Sequence, residues 1–282
     1  GVQLQTSTRI GVDVPWGMIR DEYDAVFLAV GAQRSASIGI EGENLAGVTG
    51  AVEFLRQGRL SGNAYVGRCV AVVGGGNSAI DAARTARRMG AQEVHIIYRR
   101  SKEDMPAQTE EIRGAEEEGI GIHPLVSPVE FCGSNGQITQ IVCQRMTPGE
   151  FDSSGRRRPT PVRNSGFTLN VYQVLVAVGQ TTQLPFAVPN AGVEVSESGL
   201  VQISKGTFTK TSDPRIYAGG DVVTGPGTVV WAIAAGRRAA AEIHQAFAGQ
   251  EEESDLAPIA EKRIVIPSEL DEEIVERPQV LM

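Results

Sequence analysis

The sequence predicts an α/β chain made of two parallel-sheet units of similar three-layer architecture, one inserted into the other. Three observations carry this. The stretch "CVAVV", a helical pattern from Ser78 to Met89 and "EVHIIYRR" form a strand–helix–strand unit, and its ~30 residues are the length a parallel crossover needs. The segments "DAVFLAVGA" and "QVLVAVGQ", about 150 residues apart, repeat one pattern, a buried strand running into glycine. Each reads as the last strand of a separate sheet, which an insertion explains most simply. Composition agrees: 41% hydrophobic residues with only 5% aromatic is the aliphatic balance of such sheets.

Taken in order, the opening "GVQLQTSTRIG" alternates as a strand does, and residues 23–32 form the first buried strand, ending at Gly31. "GVTGAVEFLRQGRL" predicts a short helix that closes on the linker "SGN". The strand from Val66 opens the inserted unit, and its helix stops at Gly90. A polar helix from about Gln108 to Glu118 follows, then strands around "IHPLV" and "PVEFC". "SNGQ" predicts a hairpin turn, because Asn and Gly accept positive φ, with "ITQIVCQRM" as the return strand. "FDSSGRRRPTPVRNSG" predicts an exposed loop, and residues 172–180 a buried strand ending at Gly179. Beyond it, "PRIYAGGDVV" brings a strand to Gly219, Gly220 and Asp221, and a Gly/Pro turn opens an alanine-rich helix near Thr228. The expected units are residues 1–60 with 180–249, an inserted unit 66–178, and a tail 250–282.

The net charge of −8 disfavours a nucleic-acid surface, which needs a basic face. Residues 251–282 hold ten acids against three bases, so seven of the eight negative charges lie in that tail. It has no strong period and predicts a wrapping or partly disordered segment. Cys69, Cys132 and Cys143 show no metal spacing and no even disulfide set, which fits a reducing cytoplasm. No apolar run approaches the ~20 residues of a membrane helix. His95 and His123 read as structural histidines and His244 as a surface one, so no metal site and no catalytic acid–base residue is expected.

The triple glycine Gly74, Gly75, Gly76 with Ala79 fits G-x-G-x-x-A. Gly74 permits the tight turn, Gly76 admits a pyrophosphate to the backbone, and a small residue at 79 lets helix and strand pack closely. The phosphate then sits on the helix N-terminus, with Asn77 and Ser78 as added donors. The alternative is a glycine turn without a ligand; the strand before and the helix and strand after favour the dinucleotide. An NAD site would place an acid at the end of the second strand. This chain has Arg99 and Arg100 there, 23 and 24 residues after Gly76. Guanidinium groups suit a 2′-phosphate, so NADP(H) is the expected coenzyme and plain solvated surface the alternative. Asp221 can accept hydrogen bonds from a flavin polyol, and the helix near Thr228 aims its positive end at the same ligand. The basic stretch 155–163 is either a docking loop for an acidic electron-transfer partner or, more economically, a loop with incidental charge.

"VVGGGNSAIDAARTARRMGAQEVHIIYRRSKEDMPA" together with "IYAGGDVVTGPGTVVWAIAAGRRAA" resembles the small (beta) subunit of NADPH-dependent glutamate synthase. Its relatives include NADPH–ferredoxin oxidoreductases, part of dihydropyrimidine dehydrogenase and other FAD/NADPH pyridine nucleotide-disulfide-type enzymes. The resemblance runs in order from about residue 1 to 249. It implies a Rossmann-like NADPH domain inserted into an FAD domain, with hydride passing from NADPH to FAD and electrons onward through iron–sulfur clusters. The implied acceptor is the glutamate synthase large subunit or another electron-accepting protein, with neither nucleic acid nor membrane as partner. Carried over by residue, Gly74, Gly75, Gly76, Asn77, Ser78 and Ala79 hold the NADPH pyrophosphate, and Arg99 and Arg100 its 2′-phosphate. Gly220, Asp221, Thr228 and Val229 line the flavin, and Gly31 and Gly179 end the paired strands.

The family's first FAD-binding glycine motif and its cysteine-rich cluster domain have no counterpart in this sequence. The chain is therefore expected to be a fragment, with an incomplete flavin site and no clusters of its own. The alternatives are an NADPH–ferredoxin-type oxidoreductase with another acceptor, and a dinucleotide-binding module without turnover.

Overall fold

The computed structural model describes residues 1–61, 64–152, 155–184 and 192–248, so the acidic tail expected at 250–282 lies outside the described residues. Helix α1 (Trp16–Glu22) precedes strands β1 (Val26–Leu28), β2 (Arg34–Ser35) and β3 (Val48–Gly50) and helix α2 (Ala51–Ser61). Then come β4 (Cys69–Val73), α3 (Asn77–Arg88), β5 (Glu93–Tyr98), α4 (Thr109–Glu117) and β6 (Gly121–Pro124). An antiparallel run follows: β7 (Val126–Ser134), β8 (Gln137–Phe151), β9 (Arg157–Pro161) and β10 (Phe167–Asn170). The chain returns through β11 (Gln173–Val176), β12 (Gln180–Thr181) and β13 (Ile216–Ala218) to α5 (Asp221–Thr224) and α6 (Val229–Ala248).

The central sheet is parallel, in the order β3-β11-β4-β5-β6. All five residues of β4 are buried, because the sheet is covered on both faces. One face packs on α2, α3 and α4 through Phe54, Ile80, Ala83, Ile96 and Ile112. The other face meets the β10-β8-β7 sheet through Ala71, Val73, Phe131, Ile141 and Val174. Asn135 and Gly136 close the β7–β8 hairpin at φ 53° and 77°. A separate, smaller core of Trp16, Leu28, Ile216, Ala218 and Val222 surrounds the parallel pair β1–β13.

The two repeated strands lie in separate sheets: β1 pairs with β13, whereas β11 lies inside the other sheet, between β3 and β4. The chain crosses between the two bodies twice, side by side. β12 pairs antiparallel with β2, and the Ala36 N–H donates to the Gly179 oxygen at 2.9 Å. The Ser35 N–H donates to Glu53 at 3.0 Å, which ties the crossing strand to α2. Burial opposes ionisation of Glu53, yet the bonds from Ser35 hold its pKa below the usual carboxylate value.

Three expectations change. Residues 48–61 pair and pack with the five-stranded sheet, upstream of the expected boundary: Ala51 and Phe54 are each only 1% exposed. The apolar side of α2 finds its cover on α3 and β11, since the β1–β13 pair is already covered. The N-terminal alternation does not become a strand. Residues 10 and 14 make a lone bridge, and Val2 and Leu4 stay exposed, because an extended segment needs a ladder partner. Finally, residues 157–161 of the expected loop form β9 against a 15-residue β8.

Among the described residues no helix is long and apolar enough to cross a membrane. The three cysteines are free thiols. Burial pushes the Cys143 thiol up to about 12, so thiolate is nearly absent at pH 8. Cys143 is expected to resist iodoacetamide in the folded chain and to react only on unfolding, as read by mass spectrometry. Alkylation of native protein at the rate of a free thiol would contradict this.

Candidate functional site

Parallel strands place their ligands beyond their C-terminal ends, and a deep cleft lies there. It encloses about 800 Å³ beyond β4, β5 and β11, with Asp221 and residues 226–228 of the other body on its facing wall. Ser35, Gly179 and Gln180 of the double crossing lie between them.

The floor is the turn from β4 into α3. Gly74 has φ +146°, its N–H donates to Ile97 O at 3.0 Å, and a Cβ there would meet Ala177 O at 2.3 Å. A Cβ on Gly75 would meet the Tyr98 ring at 2.5 Å. Gly76 caps α3, and the nearest atom a Cβ would meet is Pro106 Cγ at 3.9 Å, so the space in front of the helix stays open. Gly76 O accepts from Ala79 and Ile80, which leaves the N–H groups of Asn77 and Ser78 without an intrahelical acceptor. Ala79 is fully buried, as close helix–sheet packing requires. These backbone donors at a helix N-terminus fit a pyrophosphate.

Asn77 and Ser78 also have a second task. The Asn77 Oδ1 accepts the Gln108 N–H at 3.1 Å, and the Gly75 oxygen accepts the Ala107 N–H at 3.2 Å, so the "MPA" segment is fastened over the loop. The Ser78 Oγ accepts from Gln180 Nε2 at 3.3 Å, joining the loop to the crossing strand. Asn77 therefore keeps its amide N–H donors, and Ser78 its hydroxyl proton, for a ligand.

The two arginines divide. Arg99 is exposed and lines the cleft. Arg100 is 8% exposed, and its Nη2 lies 2.6 Å from Asp152 Oδ2. Its buried Nη1 has no hydrogen-bond partner among the described residues. Such an orphan cationic donor on a cleft wall fits an anion. Sequence reasoning missed a third guanidinium. Arg156 lines the same wall and acts on the Tyr98 hydroxyl, which donates to Asp104 O at 2.8 Å. Burial raises the Tyr98 pKa, against the pull of Arg156 and Arg100. Asp152 joins these groups, accepting from Arg100 and, through Oδ1, from the Arg156 N–H at 3.3 Å. The triplet "RRR" at 156–158 was the signal, but only the pairing of β9 with β8 brings its first member here.

On the facing wall, Gly220 has φ 75° and ψ −154° and precedes α5, while Asp221 Oδ1 accepts the Gly227 N–H at 3.1 Å. Thr228 precedes α6, its oxygen accepting the Ala232 N–H at 3.2 Å. Gly219 lets α6 approach: a Cβ would sit 3.0 Å from Ala235 Cβ and 3.1 Å from the Phe27 ring. Asp221, Thr228, Gly179 and the 74–78 loop thus meet in one cleft, with Arg99 and Arg100. Gly31, Gly220 and Val229 do not line it; Gly31 has φ +68° in the turn after β1, and Val229 is 75% exposed at the start of α6.

The curated relatives include the NADP(+)-dependent formate dehydrogenase subunit beta of Moorella thermoacetica, 45% identical over 87% of this chain and 35% of that protein. The NADPH-Fe(3+) oxidoreductase subunit beta of Geobacter sulfurreducens is 38% identical over 87% and 40%. The glutamate synthase [NADPH] small chain of Escherichia coli is 35% identical over 85% and 54%. The chain thus spans between about a third and a half of the length of these relatives. Among solved structures, Mycobacterium tuberculosis FprA in complex with NADPH shares the fold at a TM-score of 0.68 and 21% identity, covering 86% of this chain and 68% of that one. Lactococcus lactis thioredoxin reductase shares it at 0.59 and 24%, covering 80% and 67%. Residues 4–236 match the family described as pyridine nucleotide-disulphide oxidoreductase. By that match and these relatives, the chain belongs to the pyridine nucleotide-disulphide oxidoreductase family.

Proposed function

We propose that this chain is the NADPH-binding segment, with part of the flavin-binding wall, of an oxidoreductase that passes reducing equivalents from NADPH through FAD to a partner. The observation that carries this is the cleft itself. A glycine cradle and a helix N-terminus sit beside three guanidinium groups on one wall, and Asp221 with the N-terminus of α6 faces them. Bound there, NADPH is a hydride donor and FAD a two-electron acceptor.

The residues would bind and orient. The N–H groups after Gly76 would hold the pyrophosphate, and Arg99 with Arg156 would grip the 2′-phosphate. Arg100, anchored by Asp152, would add its free Nη1. Asp221 would accept a polyol hydroxyl, and α6 would direct its positive end at the flavin ring. Juxtaposition across the cleft does the catalytic work in this reading, without an acid or base. The sequence holds one match to the glycine motif, at 74–79. The rest of the flavin cradle, and any iron–sulfur clusters, would come from outside this segment. The double crossing of β2 and β12 joins the NADPH-binding body to the flavin-binding body in this reading.

The acceptor is a partner protein, the glutamate synthase large subunit in the resemblance first noted. The names of the relatives, with formate dehydrogenase, Fe(3+) and glutamate synthase subunits among them, favour a common NADPH module serving several acceptors. Isothermal titration of the chain with NADPH and then FAD tests the reading. NADPH is expected to saturate one site, with FAD bound weakly. Tight stoichiometric FAD binding without an NADPH site would contradict it.

A further inference from the structure

The opposite end of the central sheet carries a second group of chemically active side chains. β4 and β5 pair in parallel with Cys69 opposite Glu93 and Ala71 opposite His95. The two-residue period of a strand therefore puts Cys69, Glu93 and His95 on one face. One ligand atom from each, the Cys69 Sγ, a Glu93 carboxylate oxygen and a His95 ring nitrogen, lie within 4.8 Å of one another. His95 Nε2 is 3.7 Å from Glu93 Oε2. The other nitrogen of that ring, Nδ1, is 3.0 Å from His123 Nε2 on β6. Gly121, the register partner of His95, makes room for the two rings: a Cβ there would stand 3.1 Å from His95 Nδ1 and 3.4 Å from His123 Nε2. Cys69 is buried, whereas the Glu93 side chain is 70% exposed, so the cluster opens to solvent on one side.

We propose that Cys69 Sγ, a Glu93 carboxylate oxygen and His95 Nε2 form a binding site for a divalent transition ion of the zinc class, with water in the fourth position. Thiolate, imidazole and carboxylate together suit such an ion better than calcium or magnesium. Ligand bonds of about 2.0–2.3 Å in a tetrahedron set neighbouring donors roughly 3.3–3.7 Å apart. The nitrogen–oxygen distance is already near that. Rotation of the exposed Glu93 side chain brings its oxygen to the ion, and small side-chain adjustments of Cys69 and His95 close the sulfur–imidazole gap, which is within 4.8 Å. On binding, the Cys69 thiol gives its proton to solvent and the thiolate bonds the ion. His123 acts as a positioning residue, accepting the His95 Nδ1–H and so leaving the Nε2 lone pair for the metal. The site is separate from the nucleotide cleft. β4 runs from Cys69 to Val73 before Gly74, a distance of roughly 15 Å. A metal there would clamp the first residues of two adjacent strands, and none of the nucleotide-binding groups takes part.

The test is cobalt(II) titration of the full chain, free of any polyhistidine tag, followed by zinc(II) competition and thermal unfolding. One equivalent of cobalt is expected to bind with a thiolate-to-metal charge-transfer band and tetrahedral visible bands, and zinc to displace it and raise Tm. Cys69→Ser should remove the charge-transfer band, while Cys132→Ser keeps it. Glu93→Gln and His95→Gln should each weaken cobalt at least 10-fold. His123→Ala should cost about 10–100-fold with the band retained, and His123→Gln should recover part of that. Absence of the band in the parent chain would overturn the proposal. So would a band that survives Cys69→Ser, or affinity unmoved by Glu93→Gln and His95→Gln in variants whose circular dichroism matches the parent.

Discussion

Gly74→Ala is expected to remove nucleotide binding and to lower stability together. The backbone at φ +146° lies where an L-residue is strained, and the new methyl would stand 2.3 Å from the Ala177 carbonyl oxygen, a backbone atom at the end of β11. Neither side can yield cheaply, since the Gly74 N–H is bonded to Ile97 O and the Ala177 N–H to Val73 O. Strain of this kind costs roughly 1–3 kcal/mol before any clash is counted. A total of about 3 kcal/mol corresponds to a Tm fall of roughly 6–12 °C in a chain of this size. NADPH affinity should drop at least ~100-fold, because the N–H groups after Gly76 lose their alignment. Differential scanning calorimetry and NADPH titration check both parts. A variant with parent Tm and parent affinity would show that the loop does not hold the phosphate.

The second large effect concerns coenzyme choice. Arg99→Ala and Arg156→Ala should each weaken NADPH, with little change in NADH, because each guanidinium is assigned to the 2′-phosphate and to nothing that NADH shares. A charged hydrogen bond of this type is worth about 1.5–3 kcal/mol, or roughly 10–150-fold in affinity. Arg100→Ala should behave differently. Its Nη2 is paired with Asp152 at 2.6 Å in a buried setting, so the substitution also takes the cationic partner from that carboxylate and should lower stability along with binding. The measurement is the NADPH-to-NADH ratio of dissociation constants for each variant, beside its Tm. Equal losses for both coenzymes in Arg99→Ala would assign that residue to the pyrophosphate or to folding.

How much of this was legible in the sequence depends on the range of the interaction. The β4–loop–α3 unit could be read because its signals are local: five small apolar residues, three glycines, then an amphipathic helix. The 135–136 turn could be read for the same reason, since Asn and Gly at those positions accept the φ values found there. The membership of residues 48–61 could not, because "GVTG" pairs with β11 more than 120 residues away and nothing local specifies that neighbour. Arg156 was hidden similarly: its charge was visible, but its place on the cleft wall depends on how β9 registers against β8. Cys69, Glu93, His95 and His123 have no motif spacing at all. They meet only because three parallel strands fix their register side by side. The N-terminal alternation misled for the opposite reason, as period-two hydrophobicity makes a strand only where a neighbour offers its edge.

In the proposed function, the cleft above Gly74–Ser78 recognises a dinucleotide by its 2′-phosphate. Fluorescence titration of the chain with NADPH and, separately, NADH tests it most directly. One NADPH site is predicted, at least ~10-fold tighter than the NADH site, with that ratio collapsing in the Arg99→Ala, Arg156→Ala double variant. NADH binding as tightly as NADPH in the unmodified chain would contradict it.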